Sequence, residues 1–254
     1  MRTANPTLGA GAFSGERALV GAERMTVDGT VNRTGFLLML AIVSAAWPWH
    51  LYSRTLSPET PFGDPGVVMV WMIAGAIGGL IAAIVTSFKH AWSPVSAPVY
   101  AVLEGLFLGS ISAIFEVRYP GILVQAVGLT LGTLLALLAA YKSGVIKVSD
   151  KFRRGVVAAT GGIFLFYMAS WVLGFFGVQM PLIHSSGTFG IVFSLAVIGI
   201  AAMNLVLDFD FIERGAAQGA PRYMEWYGAF GLMVTLVWLY VEILRLLSKL
   251  RDRR

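Results

Sequence analysis

The run GVVMVWMIAGAIGGLIAAIVTSF, residues 66–88, carries no charged side chain from its first position to its last. At about 1.5 Å of helix rise per residue it is long enough to cross the roughly 30 Å hydrocarbon core of a bilayer. No water is available there to satisfy backbone amides, so a single apolar run of this length crosses as a helix that closes its own hydrogen bonds. Gly75, Gly78 and Gly79 lie within it and let a neighbouring helix approach closely.

Working outward, comparable apolar runs fall at 36–52, 96–115, 121–141, 155–178, 188–209 and 226–247. Together with 66–88 they predict seven spans. Pro48 and His50 interrupt the first, and a proline is tolerated where neighbouring helices satisfy the freed carbonyl. Hydrophobic residues make up 57% of the 254 positions and charged ones 13%, about half the charged share of a soluble domain. Lipid is therefore the solvent for most of the surface. The expected fold is an all-α membrane protein, a seven-transmembrane helix bundle. Short connections make it one unit: a mobile N-terminal tail at 1–34, the transmembrane domain at 35–248 and a basic tail at 249–254. No secretory leader is read at the start, because the first apolar run begins only at Phe36 and lacks a small-residue cleavage pattern after it.

The charges that exist report topology. A net charge of +5 is spread over loops and ends and not over a folded soluble face, which argues against a nucleic-acid partner. Lys142, Lys147, Lys151, Arg153 and Arg154 crowd the loop 142–154 and place that loop, with the N-terminal tail, on the cytoplasmic side. The expected location is the cell membrane, multi-pass, and the inner membrane for a bacterial chain. Seven crossings then carry Arg245, Lys249, Arg251, Arg253 and Arg254 to the opposite side, against the usual bias; a translocated short tail or an incomplete span would account for that. Gly105 with Gly109 and Gly128 with Gly132 are GxxxG pairs, read as helix-packing positions.

Acids inside apolar spans are the informative polar residues, since a carboxylate there costs at least about 2.5 kcal/mol. Glu104, in YAVLEGLFLG, lies about 12 Å inside its span by helix rise and is read as part of a polar cavity or ion path, or as an interhelical hydrogen-bonding group. LVLDFDFIERG places Asp208, Asp210 and Glu213 at the end of the sixth span. Asp210 and Glu213 are spaced i, i+3, and Asp210 reaches Arg214 at i, i+4. Glu242 has Arg245 three residues on, which reads as a local pair near the interface. Glu225 precedes Trp226 and Tyr227, an interfacial anchoring pattern.

Zero cysteines and three histidines exclude disulfides and leave little for an imidazole metal site. His184, Ser185 and Ser186 lie together in one loop, with no nucleophile turn and no base placed across the fold. No nucleotide motif occurs in its required context. The expectation is a protein that is not an enzyme and needs no cofactor, with calcium possible as a transported ion.

The stretch LDFDFIERGAAQGAPRYMEWYGAFGLMVTLVWLYVEILRLLSKL and the segment around Glu104 resemble the Bax inhibitor-1 family, the transmembrane Bax inhibitor motif proteins with their bacterial YccA-like members. The resemblance runs from about residue 35 to 250. It implies six helices packed around a central C-terminal one and, for bacterial members, a pH-sensitive calcium leak channel. The family's proposed gate is a pair of aspartates, one late in the sixth span and one in the seventh, sharing a proton. Two close carboxylates do not both ionise cheaply, so such a pair responds to pH. The sixth-span aspartate matches Asp210, or Asp208 if the register slips. The seventh falls on Thr235, a departure from the pattern, with Glu242 about two turns further along.

The leading expectation is therefore a passive cation pathway lined by Glu104 with Asp208 or Asp210 near the cytoplasmic mouth. Calcium suits carboxylate oxygen, with Glu104 and Asp210 as possible ligands. The alternative is a non-conducting regulatory protein that modulates a membrane protease or another membrane complex.

Overall fold

The computed structural model describes residues 24–176 and 187–253. Among these residues seven helices are long and apolar enough to cross a membrane. They are α1 (Val27–Ser53), α2 (Gly66–Phe88), α3 (Ser93–Arg118), α4 (Ile122–Lys142), α5 (Asp150–Phe175), α6 (Thr188–Ala217) and α7 (Met224–Asp252), with a short 3-10 turn at His90–Trp92 before α3. All seven expected spans coincide with helices: 36–52, 96–115, 188–209 and 226–247 lie inside longer ones, 66–88 matches α2 end to end, 121–141 starts one residue before α4, and 155–178 runs past the end of α5 at Phe175 into residues outside the described ones.

The largest differences from the sequence reading lie at the two ends of the bundle. Helix α1 begins at Val27, so residues 27–34 are helical and not part of a tail. The Thr26 side chain caps the first turn by accepting from Gly29 N at 2.9 Å, and Asp28 adds negative charge there. At the other end α7 continues to Asp252, and Lys249, expected in a solvated tail, is buried inside it. Pro48 sits within α1 without ending it.

Helix α7 is the axis. It packs against α1, α3, α4 and α6, and 67% of its apolar window is buried, compared with 6% for α5. Tyr227, Phe230, Met233 and Leu239 line it with almost no exposure. Around it the outer helices turn Ile42, Val70, Leu80, Phe164 and Trp171 outward, which in water would be an untenable apolar surface and in lipid is a solvated one.

Side-chain and backbone contacts fix which helix ends lie together. Met25 N donates to Ala220 O at 2.8 Å, and Ser93 Oγ donates to Tyr223 O at 2.9 Å. Thr26 donates to Glu225 through both its backbone N, at 3.0 Å, and its hydroxyl, at 2.8 Å. Arg33 pairs with the same carboxylate at 3.2 Å. Glu225, read from sequence as an interfacial neighbour of aromatics, is instead a buried clasp between the first and last helices. Gly29 leaves room for it, since a Cβ there would push the Glu225 carboxyl group out of its place. The turn that presents this clasp passes through Gly219 at φ +69°, a left-handed conformation that favours glycine.

The starts of α1, α3, α5 and α7 and the ends of α4 and α6 thus gather at one end, here the basic end, which also holds the loop 142–154. At the far end Arg251 donates to Pro120 O at 2.7 Å and Tyr119 bonds Asp252. All seven helices are long and apolar enough to cross, and Arg245, Lys249 and Arg251 lie toward the end of the bundle opposite the loop 142–154. Arg245, Lys249 and Arg251 are each held by partners within the bundle, which makes them parts of the packing and not free topology signals.

The two GxxxG pairs, equal in sequence, differ in use. A Cβ on Gly105 or Gly109 would strike the α1 backbone at Ala41 or Ala45, while one on Gly128 or Gly132 would meet nothing within 4 Å. The expected packing role for Gly128 and Gly132 is therefore not realised among the described residues. Gly109→Ala is expected to destabilise the protein by about 1–3 kcal/mol through overpacking. Gly128→Ala should be neutral or stabilising by up to about 1 kcal/mol. Thermal unfolding of both variants in detergent measures the contrast, and equal midpoints would show that α1 and α3 yield.

Candidate functional site

The chemistry-bearing residues of α6 divide between two faces, because residues two apart on a helix point about 200° apart. Asp208 faces the central helix. Its Oδ2 accepts from Thr235 Oγ1 at 2.6 Å, and both residues are buried, at 0% and 2% exposure. The Thr235 hydroxyl also lies 3.3 Å from Gly231 O, but it has one proton, and the shorter bond to a carboxylate is the stronger. Asp208, not Asp210, therefore occupies the position opposite Thr235.

Asp210 turns toward α5. Its Oδ2 accepts from Arg153 Nη2 at 2.7 Å and its Oδ1 from Arg214 Nε at 2.9 Å. The i, i+4 pair expected from sequence is present, within the helix and not at its end. Helix α6 runs on to Ala217, and Asp210 is buried. Glu213, on the exposed side, accepts from the Tyr141 hydroxyl at 2.5 Å and makes no bond to Asp210.

Further along α7 the same face continues. Glu242, 1% exposed, is packed inside the bundle. Its Oε2 accepts from Arg245 at 2.8 Å, the expected local pair, and from the Tyr167 hydroxyl of α5 at 3.0 Å. Its Oε1 is buried without a hydrogen-bond partner among the described residues. Lys249 is buried beyond it and donates to Gly190 O at 3.0 Å and Ser194 Oγ at 2.9 Å. Thr235, Glu242 and Lys249 repeat every seven residues, about 10 Å per step by helix rise, which keeps them on one side of the axis. Asn204, one turn before Asp208, donates to Thr160 Oγ1 at 2.8 Å and extends the polar row toward α5.

Glu104 stands apart from this row. It is half-buried on α3, close to where a Cβ on Gly79 of α2 would project, and interacts with the Tyr100 hydroxyl four residues back. The bonds from Thr235 to Asp208, from Arg153 and Arg214 to Asp210 and from Tyr141 to Glu213 do not involve it. The calcium site envisaged for Glu104 with Asp210 is therefore not assembled: they lie on different helix pairs, and Asp210 is occupied by two arginines. Among the described residues no group of three or more His, Cys, Asp or Glu is placed to hold a metal ion. His184, Ser185 and Ser186 lie outside the described residues.

Arg153, Tyr167 and Lys249 were not singled out from sequence. The one available signal was spacing, since Glu242, Arg245 and Lys249 fall at i, i+3 and i+7 and so share a helix face.

A bundle of seven membrane-crossing helices around a C-terminal axis that carries buried acid and hydroxyl groups defines a multi-pass membrane protein with a polar interior. Its sequence matches the family described as Bax inhibitor 1 like over residues 5–252, nearly the whole chain, and the protein belongs to that family. No curated protein and no solved structure matches it.

Proposed function

We propose that the chain is a passive, pH-sensitive cation pathway, with calcium the ion carried, following the polar row between α6 and α7. The observation that supports this reading most is the Asp208–Thr235 contact, a carboxylate held in full burial against the central helix. An ionisable group placed at such cost inside a membrane bundle marks an ion or proton path by default. Glu242 extends the acid row toward the far end, and Asp210, Glu213 and the basic loop form the mouth, which lies on the cytoplasmic side. Glu104 supplies a second carboxylate on the α2–α3 side. The chain acts without a resident cofactor and is not an enzyme.

Purified protein in calcium-loaded liposomes tests the proposal. Calcium efflux is expected above that of protein-free vesicles. Asp208→Asn should lower it roughly tenfold, the effect of removing about 1.4 kcal/mol of stabilisation for a passing ion. Glu104→Gln should lower it less, since Glu104 lies off the row. Absence of efflux at every pH between 5 and 8 would overturn the pathway and favour the regulator of a membrane protease or other complex.

A further inference from the structure

Helices α1 and α4 both pack on α7, yet they scarcely touch each other. The gap between them holds two cavities, of about 760 Å³ toward the basic end and about 490 Å³ deeper in, both bordered by Leu38 and Leu236. They form one trough. Its floor is α7, from Leu232 to Tyr240, and its lips are side chains exposed to the bilayer, Ile42 on α1 and Leu135 on α4. Each cavity falls in the range of about 300–1,000 Å³ that small-ligand sites occupy.

The walls change character along the length. The deeper cavity is lined by aliphatic side chains, alanines and Trp49, with few hydroxyls. The cavity toward the basic end finishes at Lys142, Lys147, Asp210 and Glu213. Asp210 is neutralised by Arg153 and Arg214, a trio that keeps one net positive charge, which offsets the charge of Glu213, itself hydrogen-bonded by Tyr141. Lys142 and Lys147 are exposed and have no ion-pair partner among the described residues. They are brought to one rim by the turn at Gly144, whose φ of +74° favours glycine, with Val145 N and Ile146 N both donating to Ala140 O. From Lys142 back to Leu134 the basic-end cavity is about 12 Å deep by helix rise, near the roughly 15 Å of one hydrocarbon leaflet.

We propose that this trough is a binding site for a phospholipid with an anionic headgroup, its phosphate at Lys142 and Lys147 and its acyl chains lying between α1 and α4. The charge order matches that occupant: two uncompensated cations at headgroup level, then apolar wall. A helix from a second copy would bury both lysines without partners, at a cost a lipid phosphate avoids. The site stands or falls independently of whether the chain conducts.

Native mass spectrometry of the full chain, delipidated in detergent and titrated with phosphatidylglycerol or phosphatidylcholine, tests it. The wild type should take up one phosphatidylglycerol with roughly ten- to thirtyfold preference over phosphatidylcholine, from two lysines near the membrane surface. Lys142→Gln with Lys147→Gln, both exposed and harmless to packing, should reduce that preference to about twofold or less. Leu135→Trp, which fills the basic-end cavity from its lip, should weaken both lipids together. Equal uptake of the two lipids by the wild type would overturn the proposal. So would a preference that survives the double substitution, or a dimer that Leu135→Trp dissolves, which would assign the trough to a second copy.

Discussion

Asp210→Ala is expected to lower the unfolding free energy by about 3 kcal/mol, at the lower end of the 3–5 kcal/mol that follows removal of one partner from a buried ion pair. Arg153 and Asp210 have side chains only 10% and 11% exposed, joined at 2.7 Å. Without the carboxylate, the Arg153 guanidinium keeps its burial and loses its main acceptor. Asp150 lies 4.0 Å away and is 88% exposed, so it recovers part of the loss and holds the cost to the lower bound. Arg214 is freed as well, but it is one-third exposed and water replaces its partner at little cost. Asp210→Leu with Arg153→Met should be much milder than the sum of the two single changes, because a buried pair exchanged for apolar groups is often neutral. Unfolding in mixed detergent micelles measures all four proteins of the cycle. A change below about 0.5 kcal/mol for Asp210→Ala would show that water reaches the pair.

That ion pair also shows what the sequence could and could not disclose. The seven crossings were legible because each is an apolar run with at most one or two polar interruptions, and in lipid that pattern has one structural solution. The central place of the last helix was implied by family resemblance, and its burial bears the implication out. The start of α1 was not legible. The segment VDGTVNRTGF is polar, and it is helical because its turns lie at the bundle end, capped by Thr26 and tied through Thr26 and Arg33 to Glu225, about two hundred positions away in the chain.

The same distance problem hid the polar partners. Asp210 bonds a residue 57 positions away, Glu242 one 75 away and Lys249 one 59 away. Local spacing finds Arg214 and Arg245 but not these. It also leaves Asp208 and Asp210 as rivals for one role, when their opposite helix faces give each its own: one meets the central helix, the other locks α5 to α6. Likewise two GxxxG motifs read alike until the neighbours are known, and only Gly105 and Gly109 have a helix against them.

Thr235→Asp is expected to convert a shallow pH response into a steep one. In the wild type a single carboxylate, Asp208, meets a hydroxyl at 2.6 Å. A hydroxyl donates to the charged carboxylate or accepts from the protonated acid, so the contact survives either state and changes little with pH. An aspartate at 235 faces Asp208 at the same bonded distance, inside a site with almost no exposure. Two charges so placed repel strongly, and the pair holds one proton between its oxygens over a range of pH where a lone exposed aspartate holds none. With that proton the two helices are bridged and the row is closed; when it leaves, repulsion parts them. Calcium efflux from liposomes should therefore be low at acid pH in Thr235→Asp and rise steeply as pH increases, by about tenfold over one to two pH units, while the wild type changes by less than about threefold. Thr235→Asn, equal in size but without the charge, should keep the shallow wild-type profile, and Asp208→Asn in the Thr235→Asp background should abolish the steep one. An unchanged profile in Thr235→Asp, with the fold intact by thermal unfolding, would place the controlling proton elsewhere than the contact between α6 and α7.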